Sequence, residues 1–274
     1  LPDNCQGEDN VQDFLGMVGL PIVCTPYFPA EAPALLLTRS SACDPDIVDK
    51  LEKYVAEGGK AIVTNGFVEA TADRGIYRIT SIRMRGRRIS GRDYRIETLE
   101  QGGRTLLTFP HGREEITVPV AEFRNNATWA LVKVGSGQES YGILLKDTYG
   151  KGQMYTLTVP DSFPDVYKLP MEVLTRLHAE FPVGDVYLEA GPQTSLFMYD
   201  NDSFIVYPYV EWGAQPAMAR IHVKGQVNAL VAPTQKDHHG DPLYLEPLYT
   251  TEDETVFEIY TMPGQYVIYQ IDRN

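Results

Sequence analysis

The chain has 274 residues, which leaves room for two domains and a sizeable core. Its formal net charge of −13 argues against general binding to nucleic acid or to an anionic membrane, and no apolar stretch reaches the roughly 18–20 residues of a membrane-spanning helix. Cys5, Cys24 and Cys43 are too few, and odd in number, for a disulfide framework, a usage that fits a cytosolic protein or a secreted bacterial one. Leu1-Pro2-Asp3 reads as the tail of a strand and carries no signal-peptide pattern. The expectation is a C-terminal piece of a longer protein, or a chain whose start was removed.

In chain order, residues 9–19 predict a helix capped by Asp9 or Asn10, with Val11, Phe14, Leu15 and Val18 on one stripe and Gly19 at its end. Leu20–Cys24 reads as a strand followed by a proline-rich loop. Ala34–Thr38 is a short apolar run suited to a strand buried on both faces. Asp44 offers an N-cap and Pro45 a first-turn proline to a helix whose stripe is Ile47, Leu51, Tyr54 and Val55. Gly58-Gly59 stops that helix, and Ala61–Thr64 is a second buried strand ended by an Asn65-Gly66 turn. Strand, helix, strand makes a right-handed crossover in a parallel sheet. The fold class expected is therefore α/β, with a flavodoxin-like parallel sheet of at least three strands.

After Gly66 the periodicity changes. Residues 76–134 contain only short alternating stretches and predict an antiparallel insertion or sheet extension. Residues 141–160 predict a hairpin turning at YGKGQ, and 169–181 a helix with the stripe Leu169, Val173, Leu174, Leu177 and Phe181. From Asp185 onward, short strands alternate with turn residues, the spacing of a C-terminal all-β sandwich. The expected domains are thus 1–183, α/β with its β-rich insertion, and 184–274.

The phrases KYVAEGGKAIV (53–63) and YGKGQMYTLTVP (149–160), set in that order of elements, resemble the class I glutamine-amidotransferase-like domain of bacterial glycosidases. The nearest form is the trimerisation domain of family-42 β-galactosidases. The closing sandwich is similar to the C-terminal β domain of the same enzymes, and the 76–134 insertion departs from the pattern. The resemblance implies a non-catalytic accessory and assembly region of a glycoside hydrolase. It also implies a homo-oligomer whose partner is the glycosidase's catalytic domain or subunit, with no cofactor. Two alternatives stand beside it: a polysaccharide-binding module acting through the sandwich, and a cysteine-dependent hydrolase or amidotransferase.

The residues bear on these readings as follows. An active amidotransferase places a cysteine on a strand-to-helix turn, but the matching turn here, Val63-Thr64-Asn65-Gly66-Phe67, has none. Cys43 sits just before a predicted helix, where a thiol can be activated, and Cys24 is a weaker candidate. His178-Ala179-Glu180 has the family's His-x-Glu spacing but falls inside a predicted helix. Asp237, His238, His239 and Asp241 form the densest run of ligand types, read first as a solvated hairpin loop and second as a site, and no metal is expected. Asp200-Asn201-Asp202 reads as a turn. Arg83, Arg85 and Arg87 alternate on one strand and suit pairing with the acidic surface of another domain or subunit. Trp129 and Trp212, each in a predicted strand, read as core residues first and as sugar platforms second.

Overall fold

The computed structural model describes residues 7–100, 103–109, 114–123, 125, 127–136, 138–182, 184–209 and 216–273. The chain forms two compact units: residues 1–12 with 24–168, and residues 13–23 with 169–274. Helix α1 (Val11–Met17) begins in the first and continues into the second.

The first unit is built on the strand–helix–strand unit. Strand β1 (Ala34–Leu37) and β2 (Lys60–Thr64) pair in parallel, with Leu37 opposite Val63. Helix α2 (Ile47–Ala56) joins them and buries Ile47, Val48, Leu51, Tyr54 and Val55. It starts later than expected. A 3-10 turn occupies Arg39–Cys43, and Asp44 accepts from the Asp46 N–H (2.9 Å) and pairs with Lys50 (2.6 Å) instead of capping the helix. Gly58, at φ +118°, ends α2 as predicted. The Asn65-Gly66 turn is itself the start of a helix, α3 (Asn65–Ala70), capped by Thr64 accepting from the Phe67 N–H.

Strands β3 (Arg83–Gly91), β4 (Asp93–Glu100), β5 (Gly103–Phe109), β6 (Ile116–Glu122) and β7 (Trp129–Ser136) make up the predicted β-rich segment. The hairpin β8 (Glu139–Tyr149) and β9 (Gly152–Leu157) follows. The main sheet has seven strands in the order β1-β2-β9-β8-β7-β4-β5, while β3 and β6 form a separate pair. The third parallel strand is therefore β9, beside β2, and not Leu20–Cys24. That stretch joins no sheet among the described residues: Leu20 is buried, but Val23 is 85% exposed and Cys24 is exposed. The parallel part of the sheet is confined to β1, β2 and β9, and the remaining pairings are antiparallel.

The second unit carries α4 (Met171–Glu180), whose predicted stripe is buried. Beyond it come β10 (Val186–Glu189), β11 (Thr194–Met198), β12 (Ser203–Pro208), β13 (Ala217–Lys224), β14 (Ala229–Lys236), β15 (Pro242–Leu245), β16 (Tyr249–Thr250), β17 (Glu254–Thr261) and β18 (Val267–Asp272). They form two antiparallel sheets, β10-β13-β17-β16 and β11-β12-β18-β14-β15. Leu188, Ile221 and Phe257 of the first sheet share one apolar core with Leu196, Phe204, Leu230 and Tyr269 of the second. His178 of α4 belongs to this unit's interior. Its Nδ1 donates to the Leu188 carbonyl (2.7 Å), and full burial holds its pKa below the usual histidine range.

Candidate functional site

The C-terminal ends of β1, β2 and β9 lie side by side because the three strands are parallel neighbours. In open α/β sheets this edge is where ligands bind, since the loops leaving the strands can diverge there and open a crevice. A cleft of about 310 Å³ occupies it. Arg39 follows β1, Asn65, Gly66 and Glu69 follow β2, and Val159, Pro160, Asp161 and Phe163 follow β9. Gly7, Glu8, Arg88 and Pro119 complete the lining.

Glu8 is the anchor of this cleft. It is only 4% exposed, and three donors hold its carboxylate: Oε1 accepts from the Gly66 N–H (2.8 Å), and Oε2 accepts from the Arg39 N–H (2.7 Å) and the Thr64 hydroxyl. Thr64 therefore ties the buried acid to the helix start, accepting from Phe67 while donating to Glu8. Burial raises the Glu8 pKa above its ordinary 4.5, and the three donors and the Arg39 charge pull it back in part. Gly66 is required here, because a Cβ at that position would overlap the Glu8 carboxylate.

Around this anchor the polar groups come in donor–acceptor couples. Arg39 Nη1 lies 3.6 Å from Glu69 Oε2. Arg88 Nε donates to Asp161 Oδ2 at 2.5 Å. Asn65 Oδ1 accepts from the Val159 N–H (2.8 Å), which fixes the orientation of the amide and leaves its NH₂ group as the donor end. Phe163, Pro119 and Pro160 supply apolar wall.

Of the stretches singled out from sequence, the Val63–Phe67 turn lines this cleft through Asn65 and Gly66, while Cys24, Cys43, Arg83, Arg85, Arg87, Trp129, Asp237, His238, His239 and Asp241 are not part of its lining. Cys43 is exposed at the end of the 3-10 turn after β1, where Arg74 donates to the flanking Ala42 and Asp44 carbonyls. The turn matched to a nucleophile elbow is indeed a strand-to-helix turn, but Asn65 stands on it and holds the β9 end. Asp237, His238, His239 and Asp241 lie in the β14–β15 loop. There Asp237 Oδ1 accepts from the N–H groups of His239 (2.8 Å) and Asp241 (3.0 Å), and the two imidazoles contact each other. Among the described residues no group of three or more His, Cys, Asp or Glu is placed to hold a metal ion. Asp200-Asn201-Asp202 is a turn, with Asp202 at φ +58°.

Arg83, Arg85 and Arg87 do not present one uniform face, because the β3–β6 pair shifts register between Met84 and Arg88. Arg83 lies over the Tyr77 ring at 3.3 Å, whereas Arg85 and Arg87 both reach Glu122, at 3.1 and 3.8 Å. Trp129 is 36% exposed on β7, so the expectation that it packs in the core is corrected. Trp212 lies outside the described residues.

Sequence reasoning missed Glu8 and Arg39; Glu8 meets Arg39, Thr64 and Gly66 only in the fold. It also missed a cluster on the outer face of the β10–β13 sheet. There His222 lies between Glu189 (2.9 Å) and Glu254 (3.2 Å) and stacks on Tyr187.

Residues 2–162 match the family model described as the second domain of the uncharacterized protein SSO3021. The chain belongs to this family. Residues 185–271 match a further model, described as the C-terminal domain of a probable glycosyl hydrolase. The glycosidase side of the resemblance is thereby supported, while the amidotransferase side has no counterpart in either model.

The comparison with curated proteins gives no match. Among solved structures the chain is similar to Gan42B, a GH42 β-galactosidase from G. stearothermophilus (14% identity, TM-score 0.44, 100% of this chain and 37% of that one). It is also similar to a β-galactosidase from Bacillus circulans sp. alkalophilus (10%, 0.41, 91% and 36%). A third similar structure is the cytoplasmic protein STM1381 of Salmonella typhimurium LT2 (16%, 0.37, 56% and 76%). The chain thus spans a little over a third of the length of the two β-galactosidases.

Proposed function

We propose that this chain is a non-catalytic accessory region of a carbohydrate-active enzyme, a glycoside hydrolase. The observation that carries the reading is the match of residues 185–271 to a glycosyl hydrolase C-terminal domain. The chemistry of the first unit supports it. On the strand-to-helix turn, the Asn65 side-chain carbonyl holds the β9 end, the Thr64 hydroxyl caps the helix, and the Gly66 N–H binds the buried Glu8, so these three groups have structural duties. The exposed Cys43 sits on another loop. In this reading the α/β unit is amidotransferase-like in plan and serves assembly, the catalytic domain or subunit being its partner.

The test compares two preparations on a panel of nitrophenyl glycosides. The natural gene product, isolated with whatever it is attached to, is expected to hydrolyse at least one of them. The 274-residue chain alone is expected to hydrolyse none. Turnover by the isolated chain that disappears when Cys43 is alkylated would overturn the reading in favour of a cysteine enzyme.

A further inference from the structure

We infer that the Glu8 cleft is a binding site for a single uncharged polyhydroxylated ring, a monosaccharide. The inference rests on the proposed function above for its biological sense, but its chemistry comes from the cleft itself.

The cleft has the volume of a small-molecule site, at the low end of the roughly 300–1,000 Å³ such sites span. It also lies at the sheet edge where such sites form. The charge on its lining selects among ligands. Glu8, Glu69 and Asp161 face Arg39 and Arg88, so carboxylates outnumber guanidiniums, and an anion such as phosphate gains no net attraction. A cation meets the Glu8 carboxylate buried and engaged by three donors, and the other two carboxylates already paired with arginine.

What these pairs do offer is adjacent donors and acceptors on planar groups: the Arg39–Glu69 couple, the Arg88–Asp161 couple and the NH₂ end of Asn65. A hydroxyl both donates and accepts. Two neighbouring hydroxyls of a sugar ring can therefore bridge a guanidinium and its carboxylate with every group satisfied, which neither a simple anion nor a simple cation can do. Phe163, Pro119 and Pro160 give the apolar C–H face of the ring a surface to lie on. The buried Glu8 acts as a positioning residue: it holds Arg39 and the Asn65-Gly66 turn where the ligand needs them.

The experiment is a calorimetric and thermal-shift titration of the 274-residue chain with galactose, glucose and mannose. Inorganic phosphate and sodium citrate serve as the anionic probes. At least one sugar is expected to bind saturably and to raise the melting temperature, while both anions leave it unmoved. Asp161→Asn and Glu69→Gln keep shape but remove a charged acceptor. Each is expected to weaken that sugar by about tenfold or more, with an unliganded melting temperature close to that of the parent.

The inference is overturned if no sugar binds up to high millimolar concentration, if phosphate or citrate binds instead, or if both variants bind the sugar as the parent does. These outcomes are independent of the glycosidase assay. Sugar binding can fail while the natural product hydrolyses glycosides, and it can succeed in a chain that proves to be an enzyme itself.

Discussion

Two buried carboxylates set what single residues do in the first unit. At Glu8 the contact is steric as well as electrostatic. Gly66→Ala places a methyl group where the carboxylate sits, so the acid must leave its three donors, and a loss of about 1–3 kcal/mol in urea unfolding is expected. Asp147, 4% exposed, bonds the hydroxyls of Thr80 (2.5 Å) and Thr128 with no cation beside it. Thr128 Oγ1 also lies 2.9 Å from Asn125 Oδ1, an oxygen that already accepts from the Ala127 and Thr128 N–H groups. Ser81 Oγ lies 2.7 Å from the same Thr128 hydroxyl, so Thr128 can accept from Ser81 while donating to Asp147. Burial raises the Asp147 pKa above 3.8, and the two threonine hydroxyls pull it back in part. A raised folded-state pKa contributes stability that is complete below 3.8 and lost as pH rises through the folded value. Asp147→Asn removes the charge that burial penalises. It should therefore unfold at higher urea than the parent near neutral pH, with the difference vanishing as pH approaches 3.8. Neither acid was legible in the sequence, because Glu8 meets Thr64 across 56 residues and Asp147 meets Thr80 across 67. No local pattern marks such a pair.

Elements whose signals are local were legible. The α2 stripe, the glycine stop and the two strands beside it follow from the 3.6-residue period and from backbone preference alone. The failures share a cause. Leu20–Cys24 has a strand's apolar run but joins no sheet among the described residues, and Arg83–Arg87 alternate in sequence while a bulge breaks the alternation in space. The glycines of YGKGQ mark something besides a turn. Lys151 N–H donates to the Ala56 carbonyl (3.1 Å) and Gln153 N–H to the Gly59 carbonyl (3.1 Å), so the hairpin is clamped to the end of α2. A Cβ on Gly152 would run into the Val55 and Gly59 carbonyl oxygens. Gly152→Ala is expected to cost about 1–3 kcal/mol, as overpacking against backbone that cannot yield. Gly225 is a control, with φ +77° and open space around its Cα. Gly225→Ala should cost about 1 kcal/mol, the strain of the left-handed backbone alone. Chemical denaturation of both variants separates the two causes.

At the scale of the whole molecule, residues 13–23 belong with 169–274 although 145 residues of the other unit intervene, 24 through 168. Gly19, at φ +100°, illustrates the bond this creates: a Cβ there would come within 2.9 Å of His178 Cε1, so the 13–23 segment lies directly against α4. Cutting the chain at a protease site engineered between Lys168 and Leu169 should therefore not release two independent pieces. The fragments are expected to co-elute in native size exclusion and to part only in denaturant; separation without denaturant would contradict the unit assignment. The same threading bears on how the protein is made. On the ribosome, every residue of the first unit has been synthesised once Lys168 is complete. The 13–23 segment waits for α4 and β11, whose His178, Thr194 and Ser195 it meets, about 27 residues and roughly 1–5 s later at ordinary elongation rates. During that interval Val18 and Leu20, destined to be buried, wait uncovered on the nascent chain, a natural place for a chaperone to act.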